Sequence, residues 1–407
     1  MLALVNGRIL TVHCQEQKPD SEGSFPVYDP GWIVISDSKI FAVGAGTKPP
    51  VECEKVIDLE GKVVTPGLID AHTHLGIFEE GRPKEGDDTN EISSPVMPHL
   101  RAVDGINPRD MGFRFARENG VTCVCCLPGS ANVVGGLGAA LKTDGDVVDS
   151  MVVSENVGLK VAFGENPKRV YGSRKKTPTT RMAIAALLRE NFVQALHWEK
   201  EKEKENYSGG DIKKDIFVKV LKGQIPLRVH AHRADDIMTA VRIAEEFNVS
   251  IILDHCTEGH FVAEEIAKRN IPVVYGPMLL GKVKQELGEL TEKTPAVLFK
   301  AGVKFALTTD HPEISVKHLM LCAALSTKEG LPKEEALKAV TFNAAEILGL
   351  SHRIGSLWPG KDADIVVWSR DPFDIMSRVE MVWINGRMVY NASEDRLQLV
   401  RGNFLGV

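Results

Sequence analysis

The sequence predicts an α/β protein: a (β/α)8 barrel of the TIM type, with a small β-sandwich domain built from both chain termini. Three observations carry this expectation. At 407 residues the chain is long enough for such a barrel plus a smaller unit. Its middle alternates eight short apolar runs with helical patterns. Ionisable side chains close many of those runs, not just two adjacent ones, which favours a barrel mouth over the single crevice of a doubly wound open sheet.

The elements follow in order. The first sixty residues read as short strands (VNGRIL, GWIVISDSKIFAVG, KVIDLEGKVVTP) punctuated by Asn-Gly, Asp-Ser and Glu-Gly turns. DADIVVWSR and VEMVWINGRMVY near the other end share that texture, so residues 1–63 and 351–407 are assigned to one β domain around a barrel over 64–350. Barrel strands are expected at 68–72, 121–126, 149–153, 160–165, 227–232, 250–255, 272–275 and 304–309. Helices are expected at 107–119, 180–204, 234–247, 260–268, 316–327 and 333–346. The run EKEKEKEN at 199–206 reads as a solvated helix extension.

Composition narrows the function. A net charge of −6, from 55 acidic and 49 basic side chains, gives no reason to expect a nucleic-acid surface. The opening MLALVNGRIL is too short to span a membrane and is followed by polar sequence, so neither anchor nor signal peptide is expected. The seven cysteines (14, 53, 123, 125, 126, 256, 322) form an odd set without a secretory framework, which points to a reducing compartment and a cytoplasmic enzyme. The expected partner is a small-molecule substrate, and the composition is compatible with a homo-oligomer.

The run ends carry the chemistry. Period-two alternation lets His72 and His74 point at one centre. Further runs end at Glu165, at His230 and His232, at His255 and at Asp310, all of which a barrel gathers at one mouth. Imidazoles and carboxylates buried together need partners, and a divalent metal satisfies several at once. This donor set suits Zn²⁺, with Mn²⁺, Fe²⁺ or Co²⁺ as alternatives. The number of donors favours two ions: His72, His74 and Asp310 around one, His230 and His255 around the other, with Glu165 bridging. A single ion inside a polar shell is the alternative. His232 is assigned to polarising a carbonyl or holding substrate. Asp310 also has a catalytic assignment, taking a proton from water and passing it to a leaving nitrogen.

PGLIDAHTHLG, the VHAH segment, DHCTEG, TTDHP and the tail TFNAAEILGLSHRIGSLWPGKDADIVVWSRDPFD together resemble the amidohydrolase superfamily, in its imidazolonepropionase- and dipeptidase-like branch, over essentially the whole chain. The resemblance implies His72, His74, His230, His255 and Asp310 as metal ligands. Many members bridge their metals with a carboxylated lysine ending the fourth strand. Here Glu165 takes that place in the reading of KVAFGE as a strand, with Lys160 at the strand's wrong end and Lys219 on a helix. Ring-deaminating members tend to carry His-x-x-Glu after the fifth strand. This chain runs His230-Ala-His232-Arg233-Ala234-Asp235-Asp236, which favours hydrolysis of an amide or lactam in a cyclic amide, an N-acyl amino acid or a dipeptide-like substrate. A deaminase is the first alternative; a single-metal lyase or isomerase and a non-catalytic scaffold are the others.

Substrate contacts are expected from the loop after Glu165, where Arg169, Tyr171 and Arg174 stand, an arginine fork being suited to a carboxylate. The glycine-rich stretch 128–142 lacks both P-loop and dinucleotide spacing, and contributes Asn132 and Lys142 as candidates. The polar excursion 76–106 reads as part of a lid, with His99 and Arg101 as pocket wall.

Overall fold

A computed structural model describes residues 1–13, 25–82, 84–155, 157–203 and 209–394; Cys14 and the end of the EKEKEKEN run lie outside them. The chain opens with strands β1 (Leu2–Leu10), β2 (Val27–Ser36), β3 (Lys39–Ala45), β4 (Lys55–Asp58) and β5 (Val63–Pro66). The middle holds β6 (Leu68–Thr73), β7 (Val121–Cys126), β8 (Val134–Leu137), β9 (Ala139–Lys142), β10 (Val152–Ser154), β11 (Leu159–Ala162), β12 (Leu227–Ala231), β13 (Ile251–His255), β14 (Val273–Tyr275) and β15 (Phe305–Leu307). The last strands are β16 (Ile365–Trp368), β17 (Val379–Ile384) and β18 (Arg387–Asn391).

Both termini share one hydrogen-bonded sheet of eight strands, ordered β18-β17-β16-β5-β1-β2-β3 with β4 beside β1. The long strand β1 makes this possible by changing partners along its length: Leu2–Val5 pair with β4, and Arg8 and Ile9 with β5. Leu4, Ile9, Ile33, Ile365 and Trp383 form its apolar core.

In the middle, β11 to β15 run parallel in sequence order, as do β6 and β7, with helices such as Arg181–Lys202, Ala234–Phe247 and Thr294–Lys300 between successive strands. The interior face carries Ile69, Ala71, Cys123, Cys125, Ile252, Val274 and Ala306 in one apolar cluster. Hydrogen bonds from Thr308 and Thr309 to Asp70 tie the end of β15 to β6.

Three expectations are corrected here. Residues 149–153 form a helical turn (Val148–Met151) leading into β10, and the glycine-rich stretch is not a substrate loop but contains β8 and β9. Its glycines serve close packing: a Cβ on Gly136 (φ +131°) would stand 2.6 Å from the Leu100 carbonyl oxygen, and one on Gly138 2.3 Å from Leu127. The expected strand 160–165 is displaced to Leu159–Ala162. Gly164, at φ +89°, breaks it, and Glu165 begins the helix Glu165–Ser173.

Candidate metal centre

Strand register sets the depth of each donor. In β11 and β12, Lys160 stands opposite Arg228 and Ala162 opposite His230. Leu159 and Val161 pack into the outer core, so alternation turns Lys160 inward. It sits two residues below the strand end, a rise of about 6.6 Å, which its four-carbon stem can span. Its ammonium nitrogen thus reaches 3.1 Å from His72 Nε2. This corrects the view of Lys160 as lying at the wrong end.

Two groups of donor atoms gather at the strand ends: His72, His74 and Asp310, and His230, His232 and His255, the atoms of each group lying within 4.8 Å of one another. Asp310 Oδ1 stands 3.5 Å from His72 Nε2 and 3.4 Å from His74 Nε2. The rings of His72 and His255 are 4.7 Å apart, which brings the two groups side by side. Regular alternation would not aim all of these inward. His255 and Asp310 adopt left-handed backbones, φ +71° and +56°, which side chains other than glycine rarely take and which cluster at functional sites.

The imidazoles are oriented from outside. His74 Nδ1 lies 2.7 Å from the Leu127 carbonyl oxygen and His255 Nδ1 2.9 Å from that of Gly276. A carbonyl only accepts, so Nδ1 carries the proton and Nε2 presents its lone pair to the site. His72 Nδ1 meets Asp254 Oδ1 at 3.1 Å, and Arg228 donates to the same carboxylate at 2.6 Å. Burial alone would raise the Asp254 pKa, but Arg228 and His72 hold it well below the ordinary carboxylate range. His232 Nδ1 pairs with Thr257 Oγ1 at 2.8 Å.

Burial lowers every imidazole of the two groups, His74 to about 4, so all are neutral at pH 7 as metal ligands must be. Burial raises the Asp310 carboxyl well above its usual value, opposed by Lys160. It lowers the Lys160 amine to about 8, opposed by Asp254 and Asp310. Both ring nitrogens of His230, and Asp310 Oδ1, are buried without a hydrogen-bond partner. Orphans of this kind are costly unless something else satisfies them, and a divalent cation fits this donor set.

Other predicted residues stand elsewhere. Glu165 joins neither donor group; its backbone N–H donates to Glu286 Oε2 at 3.1 Å. Lys142 is buried in ion pairs with Asp362 (3.0 Å) and Asp364, which tie β9 to the residues just before β16 and engage its ammonium. Tyr171 is fully buried and donates to Asn132 Oδ1 at 2.9 Å, while Asn132 Nδ2 donates to the Glu91 carbonyl. Arg174 donates to the Ile92 carbonyl at 2.8 Å. Asn132 and Arg174 therefore tie residues 91 and 92 of the excursion to the wall, and Tyr171 and Asn132 are engaged with each other. Arg169 is exposed and meets Asn166 at 3.2 Å. Arg101 forms exposed ion pairs with Asp104 and Glu155. His99 is half-buried.

Sequence reasoning missed Lys160, Asp254, Arg228 and Glu286. An arginine and a lysine inside apolar runs (LRVHAH, LKVAF) were the available signal, since buried cations need partners.

Clustered imidazole and carboxylate donors at the ends of parallel strands are the class of site that this fold defines, and comparison with known proteins narrows it. The model of the amidohydrolase family matches residues 211–389. An amidohydrolase from Thermotoga maritima MSB8 of known crystal structure is 42% identical, the match covering 96% of this chain and 100% of that one at a TM-score of 0.89. The imidazolonepropionase of Pseudomonas entomophila is 28% identical over 386 residues, 89% of this chain and 92% of that protein. Amidohydrolase tasK of Hapsidospora irregularis is 30% identical over 361 residues, 81% of this chain, which spans only 37% of that relative's length. The chain belongs to the amidohydrolase family. It is an enzyme, a hydrolase of carbon–nitrogen bonds on a TIM-barrel-like fold. No helix among the described residues is long and apolar enough to cross a membrane.

Proposed function

We propose that this protein is a metal-dependent hydrolase that opens an amide bond in a small cytoplasmic substrate: a cyclic amide, an N-acyl amino acid or a dipeptide-like compound. The two adjacent donor groups, with buried Lys160 against His72 of the first, carry this reading. His72, His74 and Asp310 would hold one divalent ion, and His230 and His255, with His232 beside them, the other. Zinc is favoured by a set rich in imidazole. Lys160 replaces Glu165 as the candidate bridge: burial lowers its amine to about 8, where a neutral fraction is available to take up carbon dioxide as a carbamate. Bound divalent ions of this kind activate water near neutral pH and polarise a carbonyl.

The chain's own groups do the rest. Asp310 takes a proton at its carboxylate and delivers it to the leaving nitrogen. His232, whose Nδ1 pairs with Thr257, turns Nε2 toward the ion beside His230 and His255 instead of toward the substrate. Amide hydrolysis is favoured over ring deamination because the position that a protonating glutamate would occupy is Arg233, whose fork is engaged by Asp235 at 2.9 and 3.0 Å.

Metal analysis of the purified chain, followed by a screen of cyclic amides, N-acyl amino acids, dipeptides and aminated rings, tests the proposal. Two bound ions and release of an amine or acid are expected. Absence of bound metal, or ammonia release from rings without ring opening, overturns it.

A further inference from the structure

We propose that Glu286 supplies the anionic donor to the ion at His230, His232 and His255. This rests on the metal-dependent reading above and adds a ligand to it. Glu286 lies in the short helical turn Gln285–Leu287, in the segment that follows β14, and is 1% exposed. Its Oε2 accepts the Glu165 N–H at 3.1 Å, which fixes the plane of the carboxylate at the start of the helix Glu165–Ser173. Oε1 has no hydrogen-bond partner and faces the imidazoles, 3.7 Å from His232 Nε2 and 4.0 Å from His230 Nε2.

Those separations are too long for hydrogen bonds. With bonds of about 2.0–2.2 Å at tetrahedral to trigonal angles, donors sharing one ion stand roughly 3.3–3.8 Å apart; the 3.7 Å to His232 falls in that range, and the 4.0 Å to His230 needs a small rotation of the Glu286 side chain to enter it. Charge points the same way. Three neutral imidazoles bring no negative charge of their own, and a carbamate on Lys160 would be shared between both ions, whereas the group of His72 and His74 includes the Asp310 carboxylate as well. A carboxylate oxygen buried among nitrogen lone pairs is costly unless a cation stands between them.

Glu286→Gln keeps the shape and an acceptor for Glu165 while removing the charge. Glu165→Gln serves as the parallel variant, since only its backbone enters the arrangement. Each chain is loaded with zinc and dialysed against a graded chelator, and retained zinc is counted by mass spectrometry, with thermal melting as the check on folding. Wild type and Glu165→Gln are expected to keep two ions. Glu286→Gln is expected to keep one tightly and to bind the second about 10- to 100-fold more weakly. Two ions held with unchanged affinity by Glu286→Gln, or by Glu286→Ala where Gln does not fold, overturn the assignment. A wild-type chain that holds no zinc refutes the metal-dependent reading itself, so the two failures are told apart.

Discussion

Lys142 offers the sharpest test, because the sequence and the structure give it different jobs. Its ammonium is buried between Asp362 and Asp364, while Lys39 and Arg353 also reach Asp362 at 2.6 and 3.1 Å. Replacing it by methionine leaves Asp362 with two cations, but strands one oxygen of Asp364, whose other oxygen accepts the Asn385 N–H at 3.0 Å. Breaking a buried pair on one side costs about 3–5 kcal/mol. For a chain of this length, with an unfolding entropy of about 2.1 cal/mol/K per residue, that lowers the melting temperature by roughly 4–6 °C. The pH dependence gives a second readout. Burial would raise the Asp362 pKa, but Lys142, Lys39 and Arg353 hold it below the usual value of 3.8. A depressed folded-state pKa stabilises above the unfolded value, and that contribution is lost as pH falls through the folded one. Lys142→Met removes one of the cations that hold Asp362 down, so the deficit is full at pH 7 and shrinks at about pH 3, below the usual carboxylate value. Calorimetric melts at both pH values, with KM on any substrate turned over, decide the matter. An unchanged melt together with a raised KM refutes the structural role and restores Lys142 to the substrate site.

Three further outcomes are expected. Asp310→Asn should lower kcat by at least about 10³-fold, since it removes both a donor and a proton carrier, while Arg174→Ala, which only frees the Ile92 carbonyl at the wall, should change it by less than about 10-fold. Equal losses would show the roles misassigned. Asp254→Asn should weaken metal binding about 10- to 100-fold by releasing His72 Nδ1, as read by competition with a chelating dye; unchanged affinity would separate His72 orientation from metal retention. Lys160→Met should lose metal and turnover together, and mass spectrometry of native wild-type protein under carbon dioxide should show a labile increase of about 44 Da; full activity in Lys160→Met would exclude a bridging role.

Much of this was legible before the structure. His72, His74, His230, His255 and Asp310 stand where short apolar runs end, and strand ends together with the left-handed backbones of His255 and Asp310 bring them into two adjacent groups. What failed failed for local reasons. A lysine two residues inside a strand looks misplaced until register and stem length are known, and Glu165 looks terminal only while Gly164 is read as strand. Glu286 was out of reach: it enters from a segment without strand periodicity, and no spacing relates it to the histidines 54 and 56 positions earlier. Tyr171, Asn132 and Lys142 had suitable chemistry, but their partners are distant in sequence, so their engagement could not be read from neighbours.

The backbone adds an argument of its own about what the chain is built to hold. His255, Cys256 and Asp310 all sit at positive φ, each at a cost of order 1–3 kcal/mol. Asp310 is held there from below: its N–H donates to Thr308 Oγ1 at 3.1 Å, and that hydroxyl stands 2.5 Å from both Asp70 and the His72 carbonyl oxygen. Cys256 N–H is engaged by the Ala231 carbonyl at 2.9 Å, at the end of the strand that carries His230. The contacts that hold the strained residues thus run through the neighbouring strands that carry the other donors. Strain and donor placement are therefore one feature. A substitution that relaxed Asp310 into the β region would gain local backbone energy while turning its carboxylate away from His72 and His74, so the fold keeps the costly conformation because the site requires it.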